Sequence, residues 1–438
     1  MSTQQPGSFR AQSFQATGKA TLRSFGGSGS RQYSAVSASS STRWCTFSEL
    51  AFTFPLKLIS PRQSSEDAVK RIWEYRQRQA KGKRREPDDA LIKPVGVLYI
   101  VGYGGGLVSG DVVKLDIDVG SGSTLLALTQ GSTKVFKVRR RLPASASSMH
   151  HHSVRIPGEK TTDEYSASTA TPPSPTNLAP PRTEPGPDTR QYFRVIVREN
   201  ATLALIPDPV TCYEHARYEQ VQRIDCRCPK TSSLALLDWY TSGRTLLAQP
   251  QHNSEVNDLQ KVNVSELWGF ERYKSRNEIR VADHVIVRDS LLLSSDADVP
   301  PTSGERAKGT ERRDRDSIST LARRNAPYGC YATLFLLGPD FQAIIEELVI
   351  AYHQVQQRVL REAPALLWSF SILREDRAGG GTGADAGANE EDNECVLKTA
   401  VLRVAAADAE AVRTWLRGAL GQLQAVIGDD LYKQAFGT

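Results

Sequence analysis

Along Asp111–Val119, the apolar residues Val113, Leu115, Ile117 and Val119 alternate with Lys114, Asp116 and Asp118. A period of two puts one apolar row on one face, which predicts a half-buried strand. The apolar run Thr124–Thr129 and the aromatic, β-branched Tyr192–Val197 read the same way, as do Ala201–Ile206, Leu234–Leu237, Glu278–Val287 and Tyr331–Leu337. Gly, Pro, Asn and Asp separate most of them. Two stretches change period. In Asp340–Arg361, Ile344, Ile345, Leu348, Tyr352, Val355 and Val359 recur at three- and four-residue spacing between Pro339 and Pro364. In Asp408–Ile427, the residues Val412, Leu416, Leu420, Leu423 and Ile427 share one face. The pattern predicts a mainly β fold, β-helix- or sandwich-like, with two amphipathic α-helices.

Five stretches carry no periodic apolar pattern: the tail to Arg43, Gln63–Asp89, Pro143–Arg190, Ser294–Pro327 and Glu375–Glu394. Their turn-forming and like-charged residues predict segments that do not pack. The expected organisation is a disordered basic tail over 1–43. One β-rich domain follows over 44–438, interrupted by low-complexity insertions at about 63–89, 143–190, 294–327 and 375–394.

Composition narrows the function classes. The 438 residues carry a formal net charge of +6, but Lys81–Arg85 and Arg306–Arg315 fall in the insertions, so a nucleic-acid partner is not expected. The six cysteines are too sparse for a disulfide framework. No apolar run reaches the roughly 20 residues of a membrane span. The first 48 residues hold no Asp or Glu, a composition shared by transit peptides and basic tails. No G-x-S-x-G, H-E-x-x-H or intact dinucleotide fingerprint occurs, so the chain is not expected to be an enzyme.

The stretch from Tyr103 to Lys137 tests this most sharply. Gly104-Gly105-Gly106 and Gly131-Ser132-Thr133-Lys134 suggest a phosphate cradle. A P-loop places Lys and then Ser/Thr directly after its last glycine and opens a helix. Here Ser132 and Thr133 precede Lys134, and Val135-Phe136-Lys137-Val138 alternates as a strand. Gly104, Gly105, Gly106 and Gly110 are read instead as a tight turn with positive φ.

That turn, followed by Gly110-Asp111 and Thr129-Gln130-Gly131-Ser132-Thr133-Lys134-Val135-Phe136, resembles the UreD family of urease accessory proteins. Further blocks agree in order: Phe54-Pro55-Leu56-Lys57, Pro207-Asp208-Pro209-Val210-Thr211 with Ala216-Arg217-Tyr218-Glu219-Gln220, Leu237-Asp238-Trp239, and Trp268-Gly269-Phe270-Glu271-Arg272-Tyr273 running on to Arg276 and Glu278. Cys212, Tyr213, Glu214 and His215 depart from the family pattern, and the insertions are long for it.

The resemblance implies a non-catalytic maturation chaperone and scaffold. It would work in the cytoplasm with UreF-like and UreG-like (GTPase) proteins on apo-urease, with nickel in transit and no tightly bound cofactor. A transient nickel path suits oxygen donors that release the ion, and the candidates are Asp111, Asp208, Glu219 and Glu278. Cys212, Glu214 and His215 form a weaker set, with Cys226-x-Cys228 and His150-His151-His152 behind it. The remaining polar residues in the matching blocks are Gln130, Thr133, Lys134, Gln220 and Arg276, the last placed to pair with Glu278 at i, i+2. Trp368 and Phe370 are candidate partner contacts. The alternative reading is a non-catalytic β-scaffold that binds within an unrelated complex.

Overall fold

Successive strands of this chain go to alternate sheets. The computed structural model describes residues 14–25, 44–61, 71–72, 74–78, 92–138, 187–244, 266–295, 320–355, 363–377 and 396–437. A seven-stranded sheet runs β14 (His284–Ser294), β13 (Arg272–Val281), β11 (Arg217–Cys226), β8 (Thr189–Val197), β5 (Val112–Val119), β1 (Gln15–Phe25), β2 (Trp44–Phe52). The second sheet runs β16 (Leu366–Arg377), β17 (Val396–Ala406), β15 (Cys330–Leu337), β12 (Ser233–Thr241), β9 (Thr202–Leu205), β6 (Thr124–Thr129), β4 (Val95–Gly102), β3 (Leu56–Ile59). The short strands β10 (Val210–Cys212) and β7 (Thr133–Val135) extend it beside β12.

Parallel neighbours need a crossover, and here each crossover is a strand of the opposite sheet. The chain passes β4, β5, β6, β8, β9, β11, β12, β13, with β5, β8, β11 and β13 parallel in one sheet and β4, β6, β9 and β12 parallel in the other. The result is a flattened β-helix of two strands per coil, finished by antiparallel strands at its edges.

Leu115, Ile117, Leu125, Val195, Leu203 and Leu236 fill the space between the sheets and are essentially inaccessible. The other face of the second sheet is covered by helices α2 (Gln342–His353), α3 (Ala409–Ala419), α4 (Gln424–Ile427) and α5 (Asp429–Phe436). A further short helix, α1 (Thr320–Asn325), seats Leu321 in the first core. The outcome is three layers: a sheet with one polar face, a sheet buried on both faces, and helices.

The two helical stretches hold with altered limits. A 3₁₀ turn over Pro339–Phe341 precedes α2, and Val359 lies outside the described residues. Asp408 caps α3 by accepting from the Ala411 N–H at 2.8 Å. Asp408–Ile427 then breaks into α3, a 3₁₀ turn over Gly421–Leu423, and α4. Glu278–Val287 proves to be parts of two strands, joined by a tight turn at Ala282 (φ 46°) and Asp283 (φ 66°).

Larger differences fall in the stretches expected not to pack. Residues 15–25, within the presumed tail, form β1 between β2 and β5. Ala16, Ala20 and Leu22 are buried there. Alanine and glycine supply too little hydrophobicity for the alternation to register. Within 63–89, Ile72 is buried, and the Arg76 guanidinium donates to the Ala425 carbonyl at 3.0 and 3.1 Å. Within 294–327, α1 is ordered against the core. The three-histidine run lies outside the described residues.

Candidate functional site

The two ends of the β-helix differ. At one, residues 120–123, 198–201 and 227–232 make short turns between sheets. At the other, the connections are residues 103–111, 130–188, 206–216 and 242–271, and these carry most of the matching sequence blocks. Connections that leave and return at one end tolerate length at low entropic cost, and such ends host function while the strands hold them in place.

The glycine turn is part of this end and leaves no cradle. Gly104, Gly105 and Gly110 adopt φ of 81°, 77° and 86°. Leu107 donates its N–H to the Lys134 carbonyl at 2.8 Å, and Phe136 donates to the Leu107 carbonyl at 2.9 Å. A Cβ on Gly106 would sit 2.5 Å from that same Lys134 oxygen. The turn is therefore a seat for β7, while the Lys134 side chain and Gln130 face solvent. Thr133 is fixed by its N–H to the Pro209 carbonyl at 3.1 Å.

Asp111 is a buried latch. Its carboxylate accepts from the Phe14 N–H at 3.0 Å and the Val108 N–H at 2.8 Å, and the residue is 1% exposed. Its own carbonyl accepts from Arg190 at 2.8 Å. Three chain segments meet on one residue. Asp111→Ala is expected to cost about 1–3 kcal/mol by stranding two partly buried amides, with Asp111→Asn recovering part of it. Thermal unfolding of the three proteins checks this, and equal midpoints would refute it.

Asp208 belongs to a different assembly. Arg413 of α3 donates to it at 2.6 Å and lies over the Trp239 ring at 5.3 Å, while the Trp239 indole N–H donates to the Pro207 carbonyl at 2.7 Å. The Asp208 N–H donates to Thr129 Oγ1 at 2.7 Å. Sequence blocks far apart along the chain thus close one joint between sheet and helix layer.

Glu219 and Glu278 lie on the outward face of the seven-stranded sheet. Lys274 donates to Glu219 at 2.8 Å. Glu278 accepts from Arg223 at 2.9 and 3.1 Å and from Arg288 at 3.3 Å, both on neighbouring strands, rather than from Arg276 on its own strand. The Arg223 guanidinium holds the Glu278 carboxyl below the usual range. The four candidate carboxylates therefore sit in separate places, three of them already held by cations and Asp111 by backbone amides.

The weaker set also divides. Cys212 points into the core, where burial pushes its thiol pKa up. Glu214 and His215 stay at the surface, His215 at a φ of 59° and placed between Glu214 at 3.5 Å and Glu271 at 3.7 Å. Glu271 continues to Arg217 at 3.6 Å, and Arg217 to Asp188 at 2.9 Å, which also holds Arg272. Cys226 is buried at the end of β11, while Cys228 lies in the following turn, half-buried. Among the described residues, no group of three or more His, Cys, Asp or Glu side chains is placed to hold a metal ion. Trp368 and Phe370 serve the interior: Trp368 packs on Tyr352 and Trp415 at 5.2 and 5.1 Å, and Phe370 is buried.

Beneath this end lies a polar cluster that the periodicity did not reveal. Asp238 of β12 faces into the space between the sheets. One carboxylate oxygen accepts from Gln220 at 3.1 Å, and the other from Ser275 at 2.6 Å and Asn277 at 2.7 Å. Gln222 donates to the Asn277 side-chain oxygen at 3.1 Å, and the Tyr218 hydroxyl bridges Gln220 and Gln191. The Tyr273 hydroxyl, buried beside them, has no partner among the described residues. Burial pushes the Asp238 carboxyl pKa up, against the bonds from Ser275, Asn277 and Gln220. Of these residues only Gln220 was a sequence candidate. The inward rows Tyr218-x-Gln220-x-Gln222 and Tyr273-x-Ser275-x-Asn277 carry the signal, but their outward neighbours are polar as well apart from Val221, so no apolar inward row stands out.

The family model described as UreD urease accessory protein matches residues 48–434. Urease accessory protein 4 of Cryptococcus neoformans var. grubii is 31% identical over 77% of this chain and 81% of its own length. Urease accessory protein D of Arabidopsis thaliana is 25% identical over 95% and 99%. For the protein of the same name from Oryza sativa subsp. indica the values are 26% over 67% and 61%.

Proposed function

The chain belongs to the UreD family of urease accessory proteins, and from this we propose that it acts in urease maturation as a non-catalytic scaffold. In this reading it works with UreF-like and UreG-like proteins to deliver nickel to apo-urease in the cytoplasm, the metal passing as cargo of the assembly. The observation that carries the reading is the family match over 48–434, which takes in every coil of the β-helix.

The geometry supports a scaffold in particular. The matching blocks close joints: the turn on β7, the Asp111 latch, and the Asp208–Arg413–Trp239 stack. Their polar atoms are spent on the protein itself. Solvent-facing groups remain at the loop-bearing end, among them Gln130, Lys134, His215 and the exposed rings of Phe14, Phe54 and Tyr103, which touch at 5.3 and 5.8 Å between centroids. Exposed aromatics of this kind mark protein contacts. Among the described residues no helix is long and apolar enough to cross a membrane.

The test is co-expression of the urease structural and accessory genes with and without this chain, followed by urease activity and bound nickel. The expected result is active, nickel-loaded urease only when the chain is present. Folded chain with inactive urease would transfer the protein to another complex.

A further inference from the structure

The outward face of the seven-stranded sheet sets two arginines side by side. Arg194 of β8 stands directly opposite Arg223 of β11 on one side and Asp116 of β5 on the other. Like charges so placed destabilise a sheet. Arg223 has Glu278 beside it, but among the described residues no ion pair is recorded for Arg194, nor for the exposed Arg276 or Lys114 in the next row. That row runs Lys114, Tyr192, Val221, Arg276 across four strands, so two partly buried apolar side chains lie among the cations.

We propose that this face docks a carboxylate-rich surface of a protein partner, with Arg194, Arg223 and Arg276 as the charged contacts and Tyr192 and Val221 as the apolar centre. The dimensions fit. Six strands at about 4.8 Å spacing and eight residues at about 3.3 Å give roughly 750 Å², close to the ~800 Å² that each partner contributes to a standard interface. A second copy of this chain would bring the same arginines to the contact, because a two-fold interface pairs a patch with itself. Nucleic acid is disfavoured, since Asp116, Glu219 and Glu278 are interleaved with the cations and would face a continuous phosphate backbone, whereas a protein surface can set its carboxylates opposite the arginines alone.

The inference rests on the maturation reading for the identity of the probes. Purified apo-urease and the UreF-like and UreG-like proteins are immobilised separately, and binding of the full chain is measured at low and high salt. Arg194→Glu with Arg276→Glu is compared with Arg324→Glu, a charge reversal on α1. The expected result is that one probe binds the wild-type chain in a salt-sensitive way, with about tenfold or greater loss for the double variant and little change for Arg324→Glu. Unchanged thermal unfolding of the double variant shows that the loss is not misfolding. Equal binding and equal urease activation by the double variant and wild type would overturn the docking face and leave the maturation role standing. Binding to none of the probes, with no urease activation, would overturn both. Tighter binding to RNA than to any probe, lost in the same variant, would also overturn it.

Discussion

Asp238→Ala is expected to lower folding stability by about 3–5 kcal/mol, a fall in Tm on the order of 10 °C. The carboxylate accepts from Gln220, Ser275 and Asn277. Removing it strands three donors between two apolar sheet faces, beside a Tyr273 hydroxyl that already lacks a partner among the described residues. Because Asp238 stands on one sheet and its donors on the other, the cost falls on the contact between layers. Urea unfolding followed by tryptophan fluorescence measures it. A loss under about 1 kcal/mol would mean that water replaces the carboxylate freely. The pH dependence gives a second readout. The folded state raises this carboxyl pKa above its value of 3.8 in the open chain. The folded protein therefore binds the proton more tightly. Stability from this group is present below the unfolded pKa and is lost as pH rises through the folded one. Asp238→Asn lacks that loss, so the stability of wild type relative to this variant should fall with rising pH across that window.

Gly338→Ala should cost about 3 kcal/mol or more. Gly338 links β15 to the turn that starts α2, at φ 89° and ψ 172°, a region that residues with a Cβ avoid. An added Cβ would press on the Ser232 carbonyl oxygen and lie 2.6 Å from the Ser233 Cα, and both are backbone atoms that cannot turn aside. The same corner holds Asp340, which accepts from the buried Lys93 ammonium at 2.7 Å and donates its N–H to Ser233 Oγ at 3.1 Å. Displacing it would lift Ile344, Ile345 and Leu348 from the second sheet. Hydrogen exchange should show α2 losing protection before the β-helix does. Gly418→Ala is the matched control: it lies in α3 with no atom within 4 Å of an added Cβ, so it should gain about 0.5–1 kcal/mol from helix propensity. Similar effects at both glycines would refute the steric account.

What the sequence disclosed depended on contrast. Asp111–Val119 and Tyr331–Leu337 were legible because strong apolar residues alternate with charges or run on together. β1 was not, because Ala16, Gly18 and Ala20 bury well while contributing little hydrophobic signal. The family blocks gather at the loop-bearing end of the molecule, yet they do not give the role of each residue. Asp208 reads as a free carboxylate until Arg413, 205 residues away, closes on it. Glu278 has an arginine two residues off along its strand, and the structure instead supplies arginines from the strands on either side. Side chains in a sheet meet their neighbours across strands, and that pairing is set by topology, which local pattern does not contain. The Asp238 cluster was hidden for the same reason: its members come from β8, β11, β12 and β13.

The position of β1 also sets an order of events during synthesis. β1 pairs with β5 on one side, Gln15 opposite Val112, and with the nearer β2 on the other. A ribosome adding about 5–20 residues per second needs on the order of 5–20 s to bring β5 out after β1. Through that interval β1 can pair within its sheet only with β2, and a two-stranded ribbon is marginal in water. Its free edge and the inward row of Ala16, Ala20 and Leu22 stay open to other chains until β5 arrives. A factor that shields the ribbon at this stage should raise the yield of folded protein, whereas one supplied after release should not.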